Sequence, residues 1–230
     1  MKKKLILGLS AILVALAVAP MFAAFEAHVI NVTATIENAL YVHPESRNFG
    51  TMFPQEYKEM GIFVTFSDSF SAENQTRVDD IDYQIKQKPK PRPGYVSQVG
   101  LDAARQWCHD NYNDFNYLNN CYPSLCPYLS KTPDNFPSPG NDIGVPVFHD
   151  PFATSSIAKG TINKNGVDVS DNWVIDLAAP CFFGECSQDW ASFVLAHNPN
   201  VINPDDYMAP AGMSGETFGC DLWVEVTKIY

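Results

Sequence analysis

The sequence of 230 residues lacks the local motifs that most catalytic and metal sites need. No HExxH motif occurs, and the five histidines stand singly along the chain, so the ligand spacing of a catalytic zinc site is missing. No GxSxG occurs either, which removes the nucleophile elbow of the α/β-hydrolases. The sequence therefore predicts no metal, no cofactor and no enzyme, and an exported hydrolase ranks third among the functional hypotheses.

Positive charge is also scarce. Acidic residues outnumber basic residues by 26 to 15, which gives a formal charge of −11. Removal of residues 1–27, which contain three lysines and one glutamate, changes that charge to −13. Nucleic acids and anionic membrane surfaces select basic proteins. We therefore expect neither of them as a partner of the mature chain.

The acidic residues form small groups that lack the spacing of a known site. Glycosidases need two carboxyls that face each other across a cleft, whereas acids that alternate along strands point to solvent. Asp168 and Asp171, or the group that begins at Asp79, could offer oxygens to calcium, but neither has the spacing of an EF-hand loop. A solvated acidic face is the favoured interpretation of these groups.

A long apolar run occurs only at the N-terminus. Three lysines precede an apolar stretch from Leu5 to Val18, and small residues follow as far as Ala27. This is the pattern of a secretory signal peptide, and the apolar stretch is short for a membrane span. We expect a secreted or cell-surface protein in which residues 1–27 are removed and residues 28–230 form one domain. An uncleaved anchor is the alternative.

Alternating apolar residues are the main feature of the exported part. The first alternating stretch, residues 28–42, follows the signal directly and places Ile30, Val32, Ala34 and Ile36 on one side. Further strands are predicted at residues 48–54, 60–67, 78–88, 143–149, 156–162, 167–178 and 218–230. Each strand has one apolar face and one polar face, and turn residues separate the strands. This pattern favours an all-β, two-sheet antiparallel sandwich of jelly-roll or Ig-like type.

Residues 89–141 interrupt this pattern and are predicted to form an insertion with a short helix at residues 102–111. An even number of cysteines in an exported chain favours disulfides. The candidates are Cys108, Cys121, Cys126, Cys181, Cys186 and Cys220. Cys181 and Cys186 could close a small loop, which would leave Cys220 to pair with one of the other three. A zinc site of His109 with Cys108, Cys121 and Cys126 is the less favoured alternative.

Aromatic residues on loops suggest a second functional hypothesis. Trp107, Trp190 and Trp223, with tyrosines, could stack against sugar rings if they are exposed, and Trp107 and Trp190 are the preferred candidates. The protein would then be a secreted carbohydrate-binding module with a cell-surface glycan as its partner. Core packing is the competing interpretation of large aromatic side chains in a β protein.

Two stretches together resemble a known family. The signal ends in Phe22–Phe25, and a Thr-rich strand and then Phe49–Glu56 follow. This arrangement resembles the secreted TasA/camelysin-like proteins that carry a SipW-type signal peptide. The second half, with its ending Gly219–Thr227, looks like a group of uncharacterised exported bacterial proteins.

The TasA-like resemblance implies a jelly-roll-like sandwich that serves as a fibre subunit of the cell surface or extracellular matrix. Members of that group assemble with copies of themselves by donating an N-terminal strand to a neighbouring sandwich. Ile30, Val32, Ala34 and Ile36 would then be the inserted side chains. Camelysin relatives have been labelled metallopeptidases, but this sequence contains no ligand motif that would support that activity.

Overall fold

The structure is a computed structural model that describes residues 38–72, 78–112, 114–134, 141–166 and 168–230. These described residues belong to one compact unit. The strands are β1 (Leu40–His43), β2 (Tyr57–Phe66), β3 (Asp80–Pro89), β4 (Thr132–Pro133), β5 (Ala158–Asn163), β6 (Ser170–Ala178) and β7 (Cys220–Ile229). The helices are α1 (Asp68–Ser71), α2 (Pro93–Val99), α3 (Leu101–Asp110), α4 (Tyr117–Asn120) and α5 (Trp190–His197).

The strands form two antiparallel sheets. One sheet, sheet A, has the order β1-β2-β6-β4, and the other, sheet B, has the order β5-β3-β7. Helices α2, α3 and α4 all lie between β3 and β4 in the chain, where the cysteine-rich insertion was expected. The predicted all-β, two-sheet antiparallel sandwich with a short helix in a cysteine-rich insertion is confirmed.

The core follows from the period-2 pattern, because successive side chains of a strand point to opposite faces. The inward side chains of the central strands are all less than a tenth exposed: Ile62, Val64, Phe66, Ile81, Tyr83, Ile85, Trp173, Ile175 and Leu177. Each fully buried apolar side chain of this size contributes about 1.5–3 kcal/mol relative to an exposed one. The alternation that predicted these strands is therefore also what holds the two sheets together.

Two of the predicted strands are wrong. Within residues 143–149, Ile143 and Val145 make only isolated bridges, because Pro146 has no N–H to donate and Phe148 has a φ of 55°. Residues 48–54 form an irregular loop that turns at Gly50, where φ is 72°. Apolar residues in both segments still reach the core, which is why the sequence pattern resembled that of strands.

The first predicted strand is described only at its end. Leu40 to His43 pair with β2, from Leu40 opposite Phe66 to His43 opposite Phe63. The predicted assembly residues Ile30, Val32, Ala34 and Ile36 lie outside the described residues.

All six cysteines form disulfides: Cys108–Cys121, Cys126–Cys220 and Cys181–Cys186. The prediction of disulfides is confirmed, and the alternative zinc site is wrong because its three sulfurs are already bonded. Three disulfides are typical of an oxidising, extracellular environment. Among the described residues, no helix is long and apolar enough to cross a membrane.

Candidate functional site

The C-terminal strand β7 has an unusual position. It pairs with β3 from Cys220 opposite Pro89 to Ile229 opposite Ile81, with a register shift between the Tyr83–Val226 and Asp82–Lys228 pairs. On its other side, no strand in the described part of the chain pairs with it. The last connection there is a parallel bridge between Ser124 and Gly219, just before β7 begins. We call this unpaired side the open edge of β7.

The other sheet edges are short or covered. At ten residues β7 is longer than the remaining edge strands, since β5 has six residues, β1 has four and β4 has two. The edge of β5 is also crossed by Ile143, whose N–H donates to the carbonyl of Lys159 at 2.8 Å and whose carbonyl accepts from the Lys159 N–H at 3.0 Å. Short edge strands and covering loops are ordinary protections against edge-to-edge pairing. The open edge of β7 lacks both of them in the described residues.

The inward side chains of β7 are only half-buried. Leu222, Val224 and Val226 pack against the core, but each of them remains partly exposed, in contrast to the inward residues of β3. Incomplete burial of this kind is expected where a sandwich ends at a strand with no neighbour. One more strand beside β7 would cover these three side chains.

The opposite face of β7 forms the floor of a cleft. Trp223 lies there beside Lys88 of β3, whose Nζ is 3.1 Å from the centroid of the tryptophan ring. The guanidinium carbon of Arg105 is 5.0 Å from the same centroid. The cleft has a volume of about 440 Å³. Both distances are within the range of cation–π contacts.

Two elements form the walls of this cleft, which we call the Trp223 cleft. One wall is α3, which contributes Asp102, Arg105, Gln106 and His109, and which the Cys108–Cys121 disulfide fastens to α4. The other wall is the loop of residues 151–157. A fully buried lysine supports this loop, since the Lys131 Nζ donates to the carbonyl of Ser156 at 3.1 Å.

The basic groups of the cleft differ in their partners. Lys86 pairs with Glu225 at 2.8 Å, and Arg105 pairs with Asp221 at 3.2 Å. Lys88 forms no ion pair with any described residue. Burial lowers the pKa of Lys88, and although Glu225 opposes that shift, Arg105 and Lys86 add to it. The Lys88 ammonium is thus the basic group whose charge is least compensated.

A polar cluster lies inside the sandwich between the two sheets. The Tyr83 hydroxyl donates to the Asp171 carboxylate and accepts from Trp173 Nε1 at 2.6 Å. The pKa of Asp171 is raised to about 8, chiefly by burial and also by Asp142 and Asp168, while the Tyr83 hydrogen bond opposes the shift. Burial likewise raises the pKa of Asp142 to about 6.

The interpretation of these acids as a solvated face is wrong for Asp168 and Asp171, which are 6% and 2% exposed. They face the interior because Asp171 shares the inward side of β6 with Trp173. Asp80 and Asp82 do lie on the outer side of sheet B, where Asp82 accepts from the Thr161 hydroxyl at 2.8 Å. Among the described residues, no group of three or more His, Cys, Asp and Glu side chains could hold a metal ion.

Trp190 and Trp107, both predicted to stack on sugars, differ in their surroundings. Trp190 is 3% exposed, donates from Nε1 to the Pro204 carbonyl at 3.1 Å and packs edge-on against Phe148, so its predicted role is wrong. Trp107 is half-buried against the Cys108–Cys121 disulfide, with Tyr95 at its ring edge. Sequence reasoning missed Lys88 and Arg105. The alternation of residues 218–230 already placed Trp223 opposite the apolar face of that strand.

No protein-family model matches this chain, and no curated protein matches it. The TasA-like resemblance therefore stays a prediction, and functional inference depends on the open edge of β7 and on the Trp223 cleft.

Proposed function

We propose that this protein is an exported structural subunit of a cell surface or extracellular matrix, and that it assembles with copies of itself by strand addition. Residues 28–36 of one copy would pair with the open edge of β7 in the next. The observation that carries the proposal is the ten-residue open edge, because exposed N–H and C=O groups of an edge strand are a template for another strand.

The side-chain patterns of the two strands support this pairing. The donor segment carries Ile30, Val32, Ala34 and Ile36 on one side and polar residues on the other. Strand β7 has the same alternation, with Leu222, Val224 and Val226 inward. A donor strand in register would extend the inner face of sheet B, and its apolar side chains would cover these half-buried residues.

The test is assembly of the mature chain, residues 28–230, followed by electron microscopy. We expect fibres from the intact mature chain and none after deletion of residues 28–36. The double variant Ile30→Asp with Val32→Asp should also fail to assemble, because it places charges on the side that is to be buried.

The matched control is Asn31→Asp with Thr33→Asp, which adds the same charge to the same segment on the side that would face solvent. This control should assemble. Fibres from the Ile30/Val32 variant, equal loss in both variants, or no fibres from the intact chain would contradict strand addition through this face.

A further inference from the structure

We propose that the Trp223 cleft binds a saccharide that carries a carboxylate, with the carboxylate beside Lys88 and Arg105. This inference is independent of the proposed assembly, because it uses the outer face of β7 and not its edge.

The cleft collects positive charge on an acidic protein. The mature chain is strongly acidic, yet three basic side chains, Lys86, Lys88 and Arg105, line one small cleft. Lys86 and Arg105 each have a carboxylate partner, whereas Lys88 lies over an aromatic ring without one among the described residues. A ligand anion beside Lys88 would supply the missing counter-charge, and hydrogen bonds between charged groups are the strong ones.

Three acidic residues limit the charge of the ligand. Asp102 lies on the same wall as Arg105, Asp221 pairs with Arg105, and Glu225 pairs with Lys86. A densely charged ligand such as a polyphosphate would be repelled by these carboxylates. The arrangement suits a single carboxylate on an otherwise neutral ligand.

The remaining lining suits a sugar. Gln106 and Thr154 are exposed and bring an amide and a hydroxyl group to the walls, which can bond to ring hydroxyls. Phe152 also lines the cleft and is 39% exposed, so part of its ring is available to the C–H face of a sugar. A volume of about 440 Å³ lies in the range of small-ligand sites.

The cleft is also built from rigid parts. The disulfide Cys108–Cys121 holds the α3 wall, buried Lys131 holds the loop at Ser156, and the floor consists of two paired strands. Side chains presented by such a frame lose little conformational freedom when a ligand binds. The cleft is therefore a better candidate for a sugar site than Trp107 or Trp190.

The experiment measures binding of methyl α-D-galactopyranosiduronic acid, which carries one carboxylate, to the mature chain by titration calorimetry. Its methyl ester has the same ring without the charge and serves as the ligand control. We expect the acidic form to bind and the ester to bind at least about tenfold more weakly, since loss of one charged hydrogen bond is of that size. Inorganic phosphate at the same concentration should not displace the acidic form.

The protein variants are Lys88→Met and Lys228→Met. Both lysines lie over an aromatic ring, Lys88 over Trp223 and Lys228 over Tyr230, but Lys228 is outside the cleft. Lys88→Met should weaken binding about tenfold or more, and Lys228→Met should leave it unchanged. No binding, equal binding of acid and ester, displacement by phosphate, or equal effects of the two variants would overturn the proposal.

Discussion

Strands β3 and β7 are neighbours of equal length in the same sheet, but the fold uses them differently. β3 pairs on both sides, and its inward residues Ile81 and Ile85 are completely buried. β7 pairs on one side, its inward residues are half-buried, and Trp223 on its outer face lines a cleft. The first half of β3, residues 80–85, thus has a strand on each side, whereas β7 has an open edge.

The largest expected effect on stability concerns the disulfide that joins β7 to the insertion. Cys126–Cys220 joins the start of β7 to the insertion and closes a loop with a sequence separation of 94, whereas Cys181–Cys186 has a separation of 5. Replacing both cysteines of the first pair by serine should cost roughly 4–5 kcal/mol of unfolding free energy, and about 2 kcal/mol for the second pair. Urea unfolding of both double variants measures this, and equal losses would contradict the expected role of loop length.

A second effect concerns pH and the acids enclosed between β3 and β6. Because burial raises the pKa of Asp171 to about 8, the folded protein keeps a proton that the unfolded chain releases above its ordinary pKa near 4. The contribution of Asp171 to the unfolding free energy therefore falls as the pH rises from about 4 to 8, by up to about 1.4 kcal/mol per pH unit.

The variant Asp171→Asn should remove that contribution, so its unfolding free energy should depend less steeply on pH than that of the parent protein. The control is Asp205→Asn at an exposed acid, which should keep the parent slope. Chemical unfolding at a series of pH values between 4 and 8 gives both slopes. If Asp171→Asn had the same pH dependence of the unfolding free energy as the parent protein, Asp171 would not be the group that holds the proton.

A third effect compares two tyrosines, one inside β3 and one after β7. Tyr83→Phe should cost about 1–3 kcal/mol, because Asp171 loses a donor and Trp173 Nε1 loses its acceptor inside the core. Tyr230 is 51% exposed and donates to Asp82 at 2.8 Å, so Tyr230→Phe should cost less than about 0.5 kcal/mol. Thermal unfolding of the two variants measures their losses of stability. A larger loss for Tyr230→Phe than for Tyr83→Phe would contradict the expected difference between central and edge strands.

The same contrast explains what the sequence could predict. The period-2 pattern of residues 78–88 identified Ile81, Tyr83 and Ile85 as inward, because one strand in a two-layer fold needs only its own alternation to define its faces. Alternation along residues 218–230 also separated Trp223 from the apolar side. Neither pattern contains information about which strand stands at an edge, so the open edge of β7 required the topology.

The cleft and the buried acids depend on residues far apart in the chain. Lys88 and Trp223 meet because β3 and β7 pair, and Arg105 joins them because α3 of the insertion lies beside these strands. The acids were misread for a related reason, since the partners of Asp171 include Tyr83 of the other sheet. Trp190 was misread because a large aromatic residue next to polar residues gives no sign of whether a loop buries it.

The most direct test of the central claim is amide hydrogen exchange of β7 and β3 in the monomeric and the assembled mature chain. Part of β7 should exchange rapidly in the monomer, because the backbone N–H groups that point away from β3 lie at the open edge. Assembly should slow exchange in residues 220–229 and leave β3 unchanged. Rapid exchange in β7 after assembly, or full protection of β7 already in the monomer, would contradict the account.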